Sequence, residues 1–158
     1  MLIVADSSAL VSLAICQCLH LLENIFDEVK VPQAVFDEVI IEGKREAEIL
    51  RVYLRGKVVT VDLTEFVIDA AGLGRGEIEA MALFKRAHAN LLLIDDRRAR
   101  KVAQLNNIEI VGSLGILLFA KQKNLIKHIK PLLDKIRDSD VHINERLIKK
   151  ILQLAGEA

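Results

Sequence analysis

Asp6, Glu38, Glu77, Asp95 and Asp96 are the side chains whose types and spacing point to chemistry. Asp6 ends a short apolar run, and Asp95-Asp96 ends a run of four aliphatic residues at 91–94. Glu77 opens a helical stretch directly after a glycine-rich bend, and Glu38 lies in a helical stretch that begins behind Pro32. Carboxylates gathered in one cleft repel one another, and their pKa values rise unless a cation neutralises them. The natural cations are Mg²⁺ and Mn²⁺, hard ions that are held by a few carboxylate oxygens and need no His or Cys cage. Such a centre binds a phosphate oxygen and lowers the pKa of a bound water, so phosphodiester hydrolysis is the reaction it suits.

Each acid also has a purely structural reading. Asp6, Asp95 and Asp96 stand where an N-cap would accept backbone N–H bonds, Glu77 complements a helix dipole, and Glu38 fits a solvated helix face. What sets them apart as a group is a shared expected position, the carboxyl edge of a parallel sheet, where caps have no need to collect. Other chemistry is less well supported. Gly72-Leu73-Gly74-Arg75-Gly76-Glu77 lacks the dinucleotide spacing and a strand leading into it, and Glu77 would repel a phosphate. Ser7 and Ser8 lack the flanking glycines of a nucleophile elbow, and His20, His88, His128 and His142 have no metal-like spacing.

The elements that must position these acids follow from hydrophobic spacing. Short apolar strands are expected at 2–5, 28–31, 58–61, 91–94 and 108–111. Helices are expected at 7–22, 33–41, 44–55, 77–88, 97–105, 113–121, 126–137 and 145–155, with a weak one at 63–71. Wholly apolar strands alternating with helices of about ten residues imply a parallel α/β sheet covered on both faces. There is no internal repeat or linker, so residues 1–158 read as one domain with a helical C-terminal segment over about 126–155.

Composition narrows the function further. The chain has 158 residues, 52% hydrophobic and 28% charged, enough for one substantial core. Lys plus Arg and Asp plus Glu each number 22, so any polyanion must be held by a local patch. Arg97, Arg98, Arg100 and Lys101 form such a patch directly behind Asp95-Asp96, suited to phosphate contacts without sequence readout. Aromatics are 4% and Trp is absent, which argues against a base-stacking platform. Cys16 and Cys18, at i and i+2 of an expected helix, point apart and read as buried reduced thiols in a reducing compartment. The uncharged stretch 7–22 is too short for a membrane span and has no basic region before it, so a cytoplasmic protein with no membrane partner is expected.

Taken in order, these motifs resemble the PIN domain family, a metal-dependent nuclease fold, over nearly the whole chain. Val4-Ala5-Asp6-Ser7-Ser8-Ala9-Leu10 is similar to its opening strand and first acid, and Val35-Phe36-Asp37-Glu38-Val39 to its second acid. Gly74-Arg75-Gly76-Glu77-Ile78-Glu79-Ala80 resembles the segment with the third, and Leu93-Ile94-Asp95-Asp96-Arg97-Arg98-Ala99-Arg100 the strand-end acid. Gly112-Ser113-Leu114-Gly115-Ile116-Leu117, Lys130-Pro131-Leu132-Leu133 and the ending Leu154-Ala155-Gly156-Glu157 resemble one prokaryotic subgroup of mostly unassigned function.

The resemblance implies a three-layer α/β/α fold with a mostly parallel sheet, and an Mg²⁺ or Mn²⁺ site that cleaves RNA. It implies Asp6, Glu38, Glu77 and Asp96 as catalytic metal ligands, with Asp95 beside them and Ser7 and Ser113 as auxiliary hydroxyls. A small antitoxin partner and a homodimer are further implications. The chain departs from the family pattern in two places: Glu77 stands where Asp is usual, and the strand-end acid is doubled. Counting from the family's threonine, which corresponds to Ile94, favours Asp96 over Asp95. Two alternatives stay open: a degenerate module that holds RNA or a peptide without cutting, and an interaction protein whose acids are all caps.

Overall fold

The apolar run Leu2–Ala5 (β1) is buried at three of its four positions, as a strand covered on both faces must be. The computed structural model describes residues 1–62 and 70–158. In chain order, β1 is followed by helices Ser7–Ile15 (α1) and His20–Ile25 (α2), strand Glu28–Pro32 (β2), helices Gln33–Val39 (α3) and Ala47–Tyr53 (α4), and strand Val58–Val59 (β3). Then come helix Arg75–Arg86 (α5), strand Leu91–Leu93 (β4), helix Arg97–Leu105 (α6), strand Ile110–Val111 (β5) and helices Ser113–Gln122 (α7), Lys130–Arg137 (α8) and Glu145–Leu154 (α9).

The strands form one sheet in the order β3-β2-β1-β4-β5, with every described pair parallel. Strand alternation sorts the core into two layers. Ile3, Ala5 and Leu93 face one side, against Leu10 and Leu13 of α1 and Leu114 and Leu117 of α7. Val4, Leu92 and Ile94 face the other, against Ala80, Met81 and Leu83 of α5 and Ala99 and Val102 of α6. This is the expected three-layer α/β/α architecture around a parallel sheet. Truncating a fully buried member such as Leu93 should cost about 2–5 kcal/mol.

Three local expectations are corrected. The stretch 7–22 is two helices, because Gln17 takes the left-handed conformation (φ 59°). Cys18 N–H then bonds Leu13 O at 2.8 Å and Gln17 N–H bonds Ala14 O at 3.1 Å, a Schellman closure built without glycine. Cys16 and Cys18 flank this reversal and do not share a helix; both are buried and free, as expected, with the Cys16 thiol donating to Leu13 O at 3.6 Å and the Cys18 thiol to Cys16 O at 3.2 Å. Finally, α8 starts at Lys130, four residues later than expected. The Ile129 and Lys130 N–H groups are taken by the Glu157 carboxylate, and Pro131 occupies the first turn, where no N–H is required. The weak helix expected at 63–71 lies mostly outside the described residues. Among the described residues, no helix is long and apolar enough to cross a membrane.

Candidate active site

The chain leaves β1 toward β2 and β3 on one side and returns to β4 on the other, so the strand order reverses between β1 and β4. In open parallel sheets a crevice forms at such a reversal, outside the carboxyl ends of the strands. Asp6 follows β1, and its N–H donates to Leu93 O at 2.8 Å, which sets it beside the end of β4. Asp95 and Asp96 follow β4 one residue beyond, after the buried Ile94.

Asp6 is 3% exposed and stands at the N-cap of α1, yet its side chain makes no capping bond there. Its Oδ1 is buried with no hydrogen-bond partner. Burial pushes the carboxyl up to about 7, the Ser7 N–H pulls it back, and the charges of Glu77, Glu38 and Asp96 push it further up. The four acids gathered from β1, α3, α5 and the β4 edge therefore act on one another.

Glu38 is half-buried, and its Oε2 accepts from Ser7 Oγ at 2.5 Å. Its carboxylate lies across Gly76, where a Cβ would come within 2.5 Å of Oε1, so glycine there is what leaves room for the Glu38 carboxylate in this position. Glu77 accepts from Gly74 N–H at 2.9 Å, half of a capping box. Burial raises its pKa, the Gly74 N–H opposes that rise, and Asp96 raises it by charge and a shared hydrogen bond, with Glu38 adding to the effect. Asp96 caps α6 by accepting from Ala99 N–H at 2.9 Å. Thus the cap reading holds for one oxygen each of Glu77 and Asp96, and fails for Asp6.

Asp95 is engaged differently. Its Oδ1 accepts from Ser113 N–H and its Oδ2 from Ser113 Oγ, both at 2.7 Å, so both oxygens are committed to the start of α7. Ser7 and Ser113, the two hydroxyls, are therefore bound to Glu38 and Asp95 respectively.

Among the described residues, no three His, Cys, Asp or Glu side chains are already drawn into an ion cage. The donor chemistry nevertheless fits a hard divalent cation: oxygens only, mutually repelling, with one buried oxygen that lacks a donor. Of the basic patch, Arg98 Nη2 donates to Ala71 O at 2.6 Å, over Gly72 with its left-handed φ of 84°, and Arg100 Nη1 donates to Ile94 O at 2.8 Å. These two hold the loops that carry the acids, whereas Arg97 and Lys101 are exposed on α6.

Glu79 was not singled out by sequence reasoning. It is 3% exposed, accepting from Ala34 N–H at 3.1 Å through Oε1 and from Arg75 Nε at 2.8 Å through Oε2. It joins the first turn of α3 to that of α5. A signal was available, since Glu79 shares a helix face with Gly76 and Leu83 at i+3 and i+4 spacing, and Arg75 precedes it by four residues. A cavity of about 370 Å³ opens here, lined by Gln33, Asp37, Glu38, Thr60, Arg75 and Glu79 among others.

The DUF3368 family model, described as a PIN domain, matches residues 2–157. No curated protein matches the chain.

Proposed function

The chain belongs to the PIN domain family, generally nucleases, and from that premise we propose that it is a metal-dependent endoribonuclease. The observation that carries the reading is Asp6 Oδ1, a buried carboxylate oxygen without a donor, surrounded by the charges of Glu38, Glu77 and Asp96. In a fold held together by satisfied polar groups, an orphan of this kind marks a place for a ligand that supplies positive charge.

Asp6, Glu38, Glu77 and Asp96 would hold Mg²⁺ or Mn²⁺, PIN domains in general using divalent metals. Bound there, the ion supplies charge stabilisation for a phosphodiester and acidifies a water. The chain's own residues do the rest. Ser7 Oγ donates to Glu38 and keeps one of its oxygens in place, and the Gly74 and Ala99 N–H groups do the same for Glu77 and Asp96. Asp95, spent on Ser113, fixes the β4–α7 edge against which Asp96 stands, and is assigned a positioning role. Arg97 and Lys101, exposed on α6 behind Asp96, suit non-specific contact with an RNA backbone. As the toxin of a toxin–antitoxin pair, the protein would work in the cytoplasm, as a homodimer restrained by a small protein partner.

The test is labelled RNA incubated with the protein in Mg²⁺, in Mn²⁺ and in chelator. Cleavage with either ion, abolished by chelator and by Asp6→Asn, is expected. Tight RNA binding without cleavage over hours would replace the nuclease reading with a binding module, for which the capping bonds of Glu77 and Asp96 are the supporting observation.

A further inference from the structure

Resting on the nuclease reading, the geometry points to Arg75 as a phosphate-binding residue of this site, aimed by the buried Glu79. A carboxylate that is 3% exposed needs partners, and Glu79 has two: the Ala34 N–H at the start of α3 and the Arg75 Nε at 2.8 Å. The guanidinium is planar, so anchoring it through Nε fixes its plane, and since Nε makes the ion pair with Glu79 the terminal nitrogens keep donors for a further acceptor. The Arg75 side chain is itself 77% exposed. It lines the cavity of about 370 Å³ that Glu38 also lines, and among the described lining residues it is the cation, beside the acids Asp37, Glu38 and Glu79 and four uncharged residues. An arginine kept only to neutralise a buried acid would be expected to turn its fork inward. Here Nε does that task, and the rest of a largely exposed guanidinium stands at the cavity that Glu38 also lines, with donors to spare for a phosphate.

The position is suitable for a polynucleotide backbone. Arg75 is the first residue of α5 and Glu77 lies two residues on, while Glu38 crosses Gly76 between them. A strand whose scissile phosphate lies at the acids has neighbouring phosphates within reach of this helix start, and a forked cation there holds one of them in two hydrogen bonds. Arg75 thus serves substrate binding, and Glu79 is a positioning residue that acts through it.

Arg75→Gln tests the assignment, because glutamine keeps a donor for Glu79 while removing the charge and the fork. On the intact chain with a labelled RNA and Mg²⁺, the expected result is a KM raised roughly tenfold with kcat within about twofold, and a log–log salt slope of RNA binding lower by about one. Arg75→Lys should restore the salt slope but not the full affinity, because it returns the charge without the fork. Glu79→Gln should shift KM in the same direction as Arg75→Gln by freeing the guanidinium. Unchanged KM and salt slope in Arg75→Gln, alongside wild-type cleavage, overturn the Arg75 assignment and leave the nuclease reading standing. A fall in kcat at constant KM also overturns it, since that places Arg75 in the metal-site geometry. A wild-type chain that shows neither a metal-induced melting shift nor RNA binding overturns both.

Discussion

Two carboxylates in this molecule are drawn out of solvent, Asp6 fully and Glu157 in part, and they behave in opposite ways. Asp6 is 3% exposed and is pushed up to about 7. The Glu157 side chain is 8% exposed, yet it is held down at about 2. Burial raises both. At Glu157 that effect is outweighed by the Ile129 and Lys130 N–H groups and by the Lys121 ammonium at 2.7 Å, which tie the end of the chain to α7 and α8. At Asp6 only the Ser7 N–H works against it, and the surrounding groups are further acids. Burial alone therefore does not separate the two; the supply of donors does, and of this pair the sheet-edge carboxylate is the one that lacks them.

The largest expected effect comes from Asp6→Asn, which should cut metal-dependent cleavage by at least about 100-fold, the scale on which disturbed metal sites lose activity. The same variant should melt higher than wild type without metal at pH 8, by several degrees, because a buried charge costing a few kcal/mol is gone. A lower melting temperature would show that Asp6 is a structural cap, and the contrast with Glu157 would collapse. Metal is the next lever. Millimolar Mg²⁺ should raise the wild-type melting temperature and leave that of Asp6→Asn unmoved, as ligand binding to the native state alone requires.

The pH dependence of stability should separate the two acids by sign. The native-state pKa of Asp6 is raised from 3.8 to about 7, so between those values the folded chain holds a proton that the unfolded chain has lost. Its contribution makes metal-free stability fall as pH rises through that window. Glu157 is depressed from 4.5 to about 2, so its stabilisation is complete above 4.5 and is lost as pH falls through 2. Glu157→Gln should cost about 2 kcal/mol at pH 7 and almost nothing near pH 2, read from denaturant melts, with the Mg²⁺ response intact. Asp95→Ala should cost about 1–2 kcal/mol through loss of the α7 cap, with cleavage reduced far less than in Asp96→Ala. The smallest stability change is expected for Gly76→Ala: its Cβ meets the movable end of Glu38, so the loss should appear as a weakened Mg²⁺ shift.

Much of this site was legible from local pattern. The runs that Asp6 and Asp95-Asp96 terminate are strands, and the alternation of apolar strands with helices forces a parallel sheet that brings their carboxyl ends to one edge. Glu38 and Glu77 stood out as candidates because they sit on helices that start at that edge. Glu79 was missed because its partner, the Ala34 N–H, is 45 residues away in sequence. The reversal at Gln17 was missed because it uses a left-handed residue that is neither Gly nor Asn, so no turn signal precedes it.

The sequence by itself determined which elements form and at which edge the acids collect, since both follow from periodicities of two and 3.6 residues within a few turns of chain. Only the tertiary structure decided which carboxylate oxygens are already satisfied: Asp95 by Ser113, Glu157 by Lys121 and the start of α8, and Asp6 Oδ1 by none. The reason is physical. Hydrogen-bond saturation depends on donors brought in from remote parts of the chain, and nothing local records whether they arrive.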